Sequence, residues 1–224
     1  MKKNTTKFLF FSLLFFLMIS ASIFQAINQD YTSIIDFDLT VIHNSLQLVS
    51  NEYPDFQDLT SYSHFLTYGI FYKLFSIFDG DLITNINALV EFKNPELVLK
   101  KLYIISRIAN TTLHFIMVIF FYKILNFFQI KNINKELILL FMIISETFIA
   151  NIMILRSDIV AVCYFLISFF YLLNFSKTEK KSDLIFVSFF MIFSLLAKVQ
   201  IIFLFMFMFI FFIFYIANER KELG

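Results

Sequence analysis

The sequence predicts an all-α integral membrane protein with about six transmembrane helices and one or two interfacial helices in its first outer loop. Of the 224 residues, 59% are hydrophobic and 16% are charged, and the mean hydropathy is +0.79, outside the usual balance of a soluble domain. Several apolar runs approach the roughly 20 residues that cross a hydrocarbon core of about 30 Å. Basic residues gather in alternate connections between these runs, as the positive-inside rule requires.

The first apolar run, residues 8–27, follows Lys2, Lys3 and Lys7. A basic start before such a run predicts a first transmembrane helix whose N-terminal end stays in the cytoplasm. The alternative is a cleavable signal peptide, because the small residues of Ser20–Ser22 occupy a plausible cleavage position. The run is longer than the ~7–15 residues of a signal core, which favours the helix. In both cases the following segment is exported.

Residues 28–101 form the predicted outer loop, in which acidic residues outnumber basic ones. Apolar residues recur at helical spacing from Leu39 to Val49 and predict a short amphipathic helix that Asp38 could cap. The next apolar stretch, "SHFLTYGIFYKLFSIF", has about 16 residues and would reach roughly 24 Å as a helix, too short for a crossing. We therefore expect an interfacial helix there.

Residues 102–218 contain five further predicted crossings, in the runs 102–121, 137–155, 159–175 and 184–217. The last run would span about 50 Å as one straight helix, so it must break, and Lys198 marks the break. This arrangement places both termini in the cytoplasm of a bacterial cell, with the helices in its inner membrane. The basic residues of the predicted cytoplasmic segments agree with it: Lys123, Lys131, Lys135, Lys177, Lys180, Lys181, Arg220 and Lys221.

Polar residues from five parts of the chain meet at the outer surface under this topology: Asp36, Asp38, His64, Arg107, Arg156, Asp158 and Lys198. A carboxylate there, Asp36 or Asp38, could act as a general base whose pKa is tuned by partial burial. Arg156 could hold a phosphate beside an acid-base role for Asp158, or both could mark the water boundary of a helical hairpin. Lys198 could bind a partner or extend to the interface.

A polar stripe lies on one face of the 102–121 run, where Arg107, Asn110, Thr111 and His114 recur at helical spacing. Polar residues within a membrane face protein or a water-filled cavity, so this stripe should point into the bundle. Glu146 lies at a similar depth in the next predicted crossing. We hypothesise that it pairs with His114 or that it is protonated, with ordinary interhelical hydrogen bonding as the alternative.

The signatures of soluble enzymes are missing from the sequence. It has 3 Gly and contains neither a glycine-rich phosphate loop nor a nucleophile elbow. The 3 His are far apart and the single cysteine, Cys163, lies in an apolar run, which argues against a zinc site and excludes an intramolecular disulfide. No metal-binding residue is assigned, and no nucleic-acid partner is expected.

The order of the polar motifs resembles the N-terminal half of the GT-C superfamily, the polytopic glycosyltransferases that use lipid-phosphate sugars and include protein O-mannosyltransferases and aminoarabinose transferases. The matching stretches are "DFDLT", "SHFLTYGIFYKLF", "ISRIANTTLHF", "LRSDIVAVCYFLISFFYLL" and "SLLAKVQIIFLF". By position, Asp36 or Asp38 resembles the family's catalytic acid. Arg107 matches its helix-start arginine, while Phe37 replaces the second acid of its usual pair.

The resemblance implies a sugar transfer from a polyprenyl-phosphate donor, held at the membrane, to an acceptor hydroxyl. It gives the catalytic role to Asp36 or Asp38, beside the acid-base role considered above for Asp158. His64, Asp158 and Lys198 fall where the family has outer-face polar residues. Arg107, Arg156 and Lys198 would bind the donor phosphate. No cofactor is established, and a divalent metal stays open.

Family members continue through further helices and often a soluble domain, so we expect this chain to be the N-terminal part of such an enzyme, a half that needs a partner, or a remnant. The alternative from another class is a non-catalytic polytopic protein, such as a lipid-carrier flippase, a transporter subunit or a polysaccharide-export component. A transporter would need polar residues along a path to both sides, whereas the predicted topology gathers the charges at one face.

Overall fold

The computed structural model describes residues 2–28, 37–55, 61–152 and 154–222. Regular structure within these ranges is entirely helical, which agrees with the predicted all-α class. The helices are α1 (Lys2–Asn28), α2 (Phe37–Val49), α3 (Tyr62–Ser76), α4 (Ile86–Val90), α5 (Pro95–Phe127), α6 (Asn132–Ile144), α7 (Glu146–Ile152), α8 (Ser157–Thr178), α9 (Lys181–Ala197) and α10 (Ile202–Glu222).

Four helical segments in the described ranges are long and apolar enough to cross a membrane. They are Leu9–Asn28 in α1, Pro95–Phe127, Ser157–Thr178, and Val199–Ala217. These segments fit an integral membrane protein, and they coincide with four of the predicted crossings. Helix α3 has 15 residues, in keeping with the prediction that its apolar stretch is too short to cross.

The predicted break at Lys198 is confirmed. Helix α9 ends at Ala197, and Lys198 has extended backbone angles of φ −158° and ψ 114°. A 3₁₀ turn, Val199–Ile201, then leads into α10. The run is too long for one straight crossing, and a single extended residue is enough to redirect it.

The prediction of one helix over residues 137–155 is wrong, because the chain breaks at Ser145. Helices α6 and α7 have 13 and 7 residues, and Ser145 between them has extended angles of φ −63° and ψ 137°. Its hydroxyl donates to the Met142 carbonyl at 2.8 Å, so the side chain replaces part of the helical hydrogen bonding.

The first of two compact units contains Met1–Gln57, Phe65–Phe115 and Glu146–Arg156. Helix α2 packs closely on α3 at Gly69, where an added Cβ would overlap Val49 Cγ1 and lie 3.1 Å from the Ser45 carbonyl oxygen. The absence of a side chain at Gly69 therefore sets how closely these two helices approach.

Two tyrosines of α3 fix this helix against α5 within the same unit. Tyr68 donates its hydroxyl to Asn110 Oδ1 at 3.1 Å, and the Tyr72 hydroxyl lies 2.6 Å from Ser106 Oγ. Ser106 donates to the Leu102 carbonyl, so Tyr72 is the donor to Ser106. Because rising numbers on α3 meet falling numbers on α5, the two helices run antiparallel.

The second unit contains Asp58–His64, Ile116–Ser145 and Ser157–Gly224. Two serine hydroxyls join its antiparallel helices α8 and α9. Ser168 donates to the Val187 carbonyl at 3.0 Å, and Ser194 donates to the Ala161 carbonyl at 2.7 Å. Small polar residues that bond across helices are typical of helix packing in membranes.

Candidate functional site

A buried ion pair joins Asp38 of α2 to Arg107 of α5 in the first unit. Arg107 Nη2 donates to Asp38 Oδ2 at 2.6 Å and to the Tyr103 hydroxyl oxygen at 2.7 Å. Asp38 Oδ1 accepts the backbone N–H of Leu155 at 2.9 Å. The side chains of Arg107 and Asp38 are 1% and 2% exposed, so the charges are shielded from solvent.

Both carboxylate oxygens of Asp38 thus accept hydrogen bonds from groups outside α2, and not from the N–H groups of that helix. The expectation that Asp38 caps α2 is therefore replaced by a cross-link between α2, α5 and the segment before α8. Burial raises the pKa of Asp38, and the Arg107 guanidinium and the Leu155 amide offset part of that increase. A buried pair of this kind tolerates the loss of neither partner.

The polar stripe on α5 faces the protein interior, as expected. Asn110 Nδ2 lies within 3.2 Å of the carbonyl oxygens of Asn151, Ile152 and Ile154, so its two N–H groups satisfy carbonyls at and just after the C-terminal end of α7. His114 Nδ1 lies 2.8 Å from the Asn110 carbonyl oxygen, which can only accept, so Nδ1 carries a proton.

The predicted pairing of His114 with Glu146 is wrong. The His114 ring packs edge-on against Phe148 with centroids 5.0 Å apart, and its Nε2 has no hydrogen-bond partner in the described ranges. Glu146 is exposed at the start of α7. The break at Ser145 explains the difference, because Glu146 does not lie halfway along a continuous crossing.

A second ion pair, between Asp158 and Lys198, lies in the second unit. Asp158 is in the first turn of α8, where the helix dipole favours a carboxylate, and Lys198 is the extended residue between α9 and α10. Lys198 Nζ donates to Asp158 Oδ1. The side chains are 34% exposed for Lys198 and 42% for Asp158, so both are accessible from solvent.

His64, in the first turn of α3, also belongs to the second unit and is 2% exposed. Burial lowers its pKa to about 3, against the opposing charge of Asp158. The ring is therefore neutral at physiological pH. The preceding residue, Ser63, donates its hydroxyl to the Phe193 carbonyl at 2.6 Å and so fixes this segment to α9.

The predicted site residues thus form two clusters, each within one unit. Asp38 and Arg107 pair in the first unit, and Asp158 and Lys198 pair in the second unit, to which His64 also belongs. Arg156 is exposed just before α8, and Asp36 lies outside the described residues. That all of them form a single site stays a prediction.

Two partners of Arg107 and Asp38 were not anticipated. Tyr103 lies one helical turn before Arg107, so the i, i+4 spacing could have indicated it. The Leu155 amide is a backbone group and leaves no mark in the residue pattern. In the described part of the chain, no group of three or more His, Cys, Asp or Glu side chains could hold a metal ion.

Comparisons with protein-family models, curated proteins and solved structures gave no match to this chain.

Proposed function

We propose that this chain is a membrane glycosyltransferase, or the N-terminal part of one, which moves a sugar from a polyprenyl-phosphate donor to an acceptor hydroxyl. The observation that carries the proposal is the Asp158–Lys198 pair, a carboxylate and an ammonium that are 42% and 34% exposed. A phosphate and a hydroxyl are the two ligands that such a pair suits. The resemblance of the motifs to GT-C enzymes supports the same chemistry.

In the proposed reaction, Lys198 turns from Asp158 to the donor phosphate, which frees the carboxylate. Asp158 then accepts the proton of the acceptor hydroxyl, whose oxygen forms a bond to the anomeric carbon of the sugar. The bond from that carbon to the phosphate oxygen breaks, and its electron pair leaves on the polyprenyl phosphate. The charge of Lys198 stabilises this leaving group. That Arg156 adds a second cation to it stays a prediction.

Asp36 is the alternative base, and Asp38 with Arg107 holds the first unit in shape. Arg107 retains one buried nitrogen, Nη1, without a hydrogen-bond partner in the described ranges. That Arg107 also binds the donor phosphate, as the resemblance implies, stays a prediction. His64 would contact the donor or the acceptor as a neutral group. A divalent metal stays open as an addition to this set.

The proposed topology has six crossings, an outer face that carries these residues, and both termini in the cytoplasm of a bacterial cell. Four of these crossings are the helical segments that are long enough to cross. The other two proposed crossings are α9 and the α6–α7 pair. Lys177, Lys180 and Lys181, at the connection of α8 to α9, favour a cytoplasmic position for that connection. Asp158 and Lys198, at the opposite ends of these helices, would then face outward.

The proposal is tested by reconstituting the protein in liposomes with polyprenyl phosphate that carries radiolabelled mannose or aminoarabinose. The readout is release of the labelled sugar together with free polyprenyl phosphate, with water in place of the acceptor hydroxyl, so the natural acceptor need not be identified. Asp158→Asn should lower release by about 100-fold or more, the usual contribution of a general base. Lys198→Met should do the same, and Lys198→Arg should retain part of the activity.

Asp79→Asn is the matched control, because Asp79 also pairs with a lysine, Lys101 at 2.8 Å, but in a different segment. It should release polyprenyl phosphate at the wild-type rate. Wild-type release by Asp158→Asn would remove the catalytic role of Asp158. If Asp36→Asn alone were inactive, Asp36 would be the base.

A non-catalytic lipid-carrier flippase or export component is the second candidate. It is favoured by the mutual pairing of the charges, since Arg107 with Asp38 and Lys198 with Asp158 neutralise one another without any substrate. This candidate predicts that the protein binds polyprenyl phosphate but releases no sugar from any donor in the same liposomes.

A further inference from the structure

Lysines gather at one end of the second unit, where α5, α8 and α10 end and α9 begins. Cross-helix contacts bring these ends together. Lys177 Nζ of α8 lies 3.9 Å from the ring centroid of Phe127 in α5, and Lys123 Nζ of α5 lies 5.1 Å from that of Phe170 in α8. Phe127 also contacts Tyr215 of α10, with centroids 5.9 Å apart.

We call this end of the unit the basic end, defined by six lysines: Lys123, Lys131, Lys135, Lys177, Lys180 and Lys181. Five of them are exposed. Lys135 is the exception, because it is buried and donates to Asn126 Oδ1 at 2.5 Å. The connection 177–181 alone contributes three of the exposed ammonium groups.

The acids near the basic end compensate this charge in part. Residues 120–136 and 177–183 contain Glu136, Glu179 and Asp183 beside the six lysines. Asp183 is buried, and its Oδ2 accepts hydrogen bonds from Asn174 at 2.7 Å and Thr178 at 2.9 Å. This carboxylate is turned inward, so an excess of positive charge stays on the surface.

We propose that the basic end binds anionic phospholipid head groups through the phosphates of lipids such as phosphatidylglycerol. Three of the helices that end here include segments long enough to cross a membrane, so the lysines lie where the head groups of such a membrane would be. Tyrosine is typical of the same zone, and Tyr215 lies there against Phe127. The ring faces also hold two ammonium groups, those of Lys123 and Lys177, in place.

This inference does not depend on sugar transfer. Lysine favours a lipid surface because its flexible ammonium suits single phosphates, whereas a bidentate site would call for arginine. Lysines near an anionic surface each raise the affinity about fivefold. The described lysines of the basic end are therefore sufficient for a measurable preference over a zwitterionic lipid.

The test measures lipids bound to the purified protein in detergent by native mass spectrometry, with dioleoyl phosphatidylglycerol or dioleoyl phosphatidylcholine added. Wild-type protein should prefer phosphatidylglycerol, and added salt should weaken the preference. Lys180→Gln with Lys181→Gln should lower phosphatidylglycerol affinity roughly 25-fold, and arginine at both positions should preserve it. Equal binding of the two lipids by wild-type protein would overturn the proposal without any variant.

The matched control is Lys93→Gln with Lys100→Gln, which removes two exposed lysines of the first unit. Its phosphatidylglycerol affinity should match that of the wild type. An equal loss in this control would show a general effect of net charge and overturn the site. Displacement of phosphatidylglycerol by inorganic phosphate at equal ionic strength would reassign the site to a soluble anion and also overturn it.

Discussion

The Asp38–Arg107 pair predicts an asymmetric response to the loss of each partner. In Asp38→Asn, the guanidinium stays 1% exposed without a compensating negative charge, because the amide oxygen of the new side chain can accept a hydrogen bond but is not ionised, and arginine cannot release its proton. In Arg107→Met, the carboxylate can take up a proton instead, since burial already raises the pKa of Asp38. Asp38→Asn should therefore be the more damaging change.

Removal of one member of a buried ion pair costs about 3–5 kcal/mol in the free energy of unfolding. We expect Asp38→Asn to cost close to the upper value and Arg107→Met close to the lower one. Protonation of Asp38 removes the uncompensated charge in Arg107→Met and so limits the cost of that variant. The double variant leaves no uncompensated charge, so it should cost at least about 2 kcal/mol less than the sum of the single changes.

Reversible unfolding in mixed detergent and dodecyl sulfate micelles, followed by circular dichroism, measures all four proteins of this cycle. The cost of Arg107→Met should also shrink toward acid pH, where Asp38 is protonated. The reasoning would be refuted if Arg107→Met were the costlier change. Additivity of the two single variants within about 0.5 kcal/mol would refute it equally.

Other predictions concern helix packing and pH. Gly69→Ala should cost about 1–3 kcal/mol in unfolding free energy through overlap with Val49, and Val49→Ala in the same chain should recover most of it. Gly80→Ala should leave the unfolding midpoint unchanged, because an added Cβ meets nothing within 4 Å. His64 stays neutral in the folded state down to a pKa of about 3, whereas the unfolded chain takes up a proton below pH 6.5. The free energy of unfolding should therefore decrease as the pH is lowered below 6.5, and at pH 5.5 the loss should be about 1.4 kcal/mol. A His64→Phe variant with the same pH dependence as the wild type would contradict this.

The sequence was sufficient to predict features that follow from length and periodicity. The break at Lys198 was predictable because a run of that length cannot cross a membrane as one helix, and the single charge marked the position. Helix α2 was predictable from the spacing of its apolar residues. Both inferences use information that is local in the chain.

The remaining features depend on partners far away in the chain. Asp38 bonds to groups that are 69 and 117 residues away in the sequence. The residues around Asp38 are equally consistent with a helix cap, so they could not indicate this ion pair. The break at Ser145 interrupts an apolar run that is otherwise suitable for a crossing, and serine is common within membrane helices. Periodicity could not predict that its hydroxyl would end α6.

The exposure of the two ion pairs decides which carboxylate is suited to chemistry. Freeing Asp38 would leave the guanidinium of Arg107 uncompensated at 1% exposure, at a cost of several kcal/mol in each catalytic cycle. Freeing Asp158 costs far less, since its pair with Lys198 is about one third exposed and surface pairs contribute about 0–1 kcal/mol. A general base must exchange partners repeatedly, so Asp158 can meet that requirement while Asp38 stabilises the fold. An activity loss in Asp38→Asn should consequently accompany a loss of stability, whereas the loss in Asp158→Asn should occur in a protein that unfolds at the wild-type midpoint.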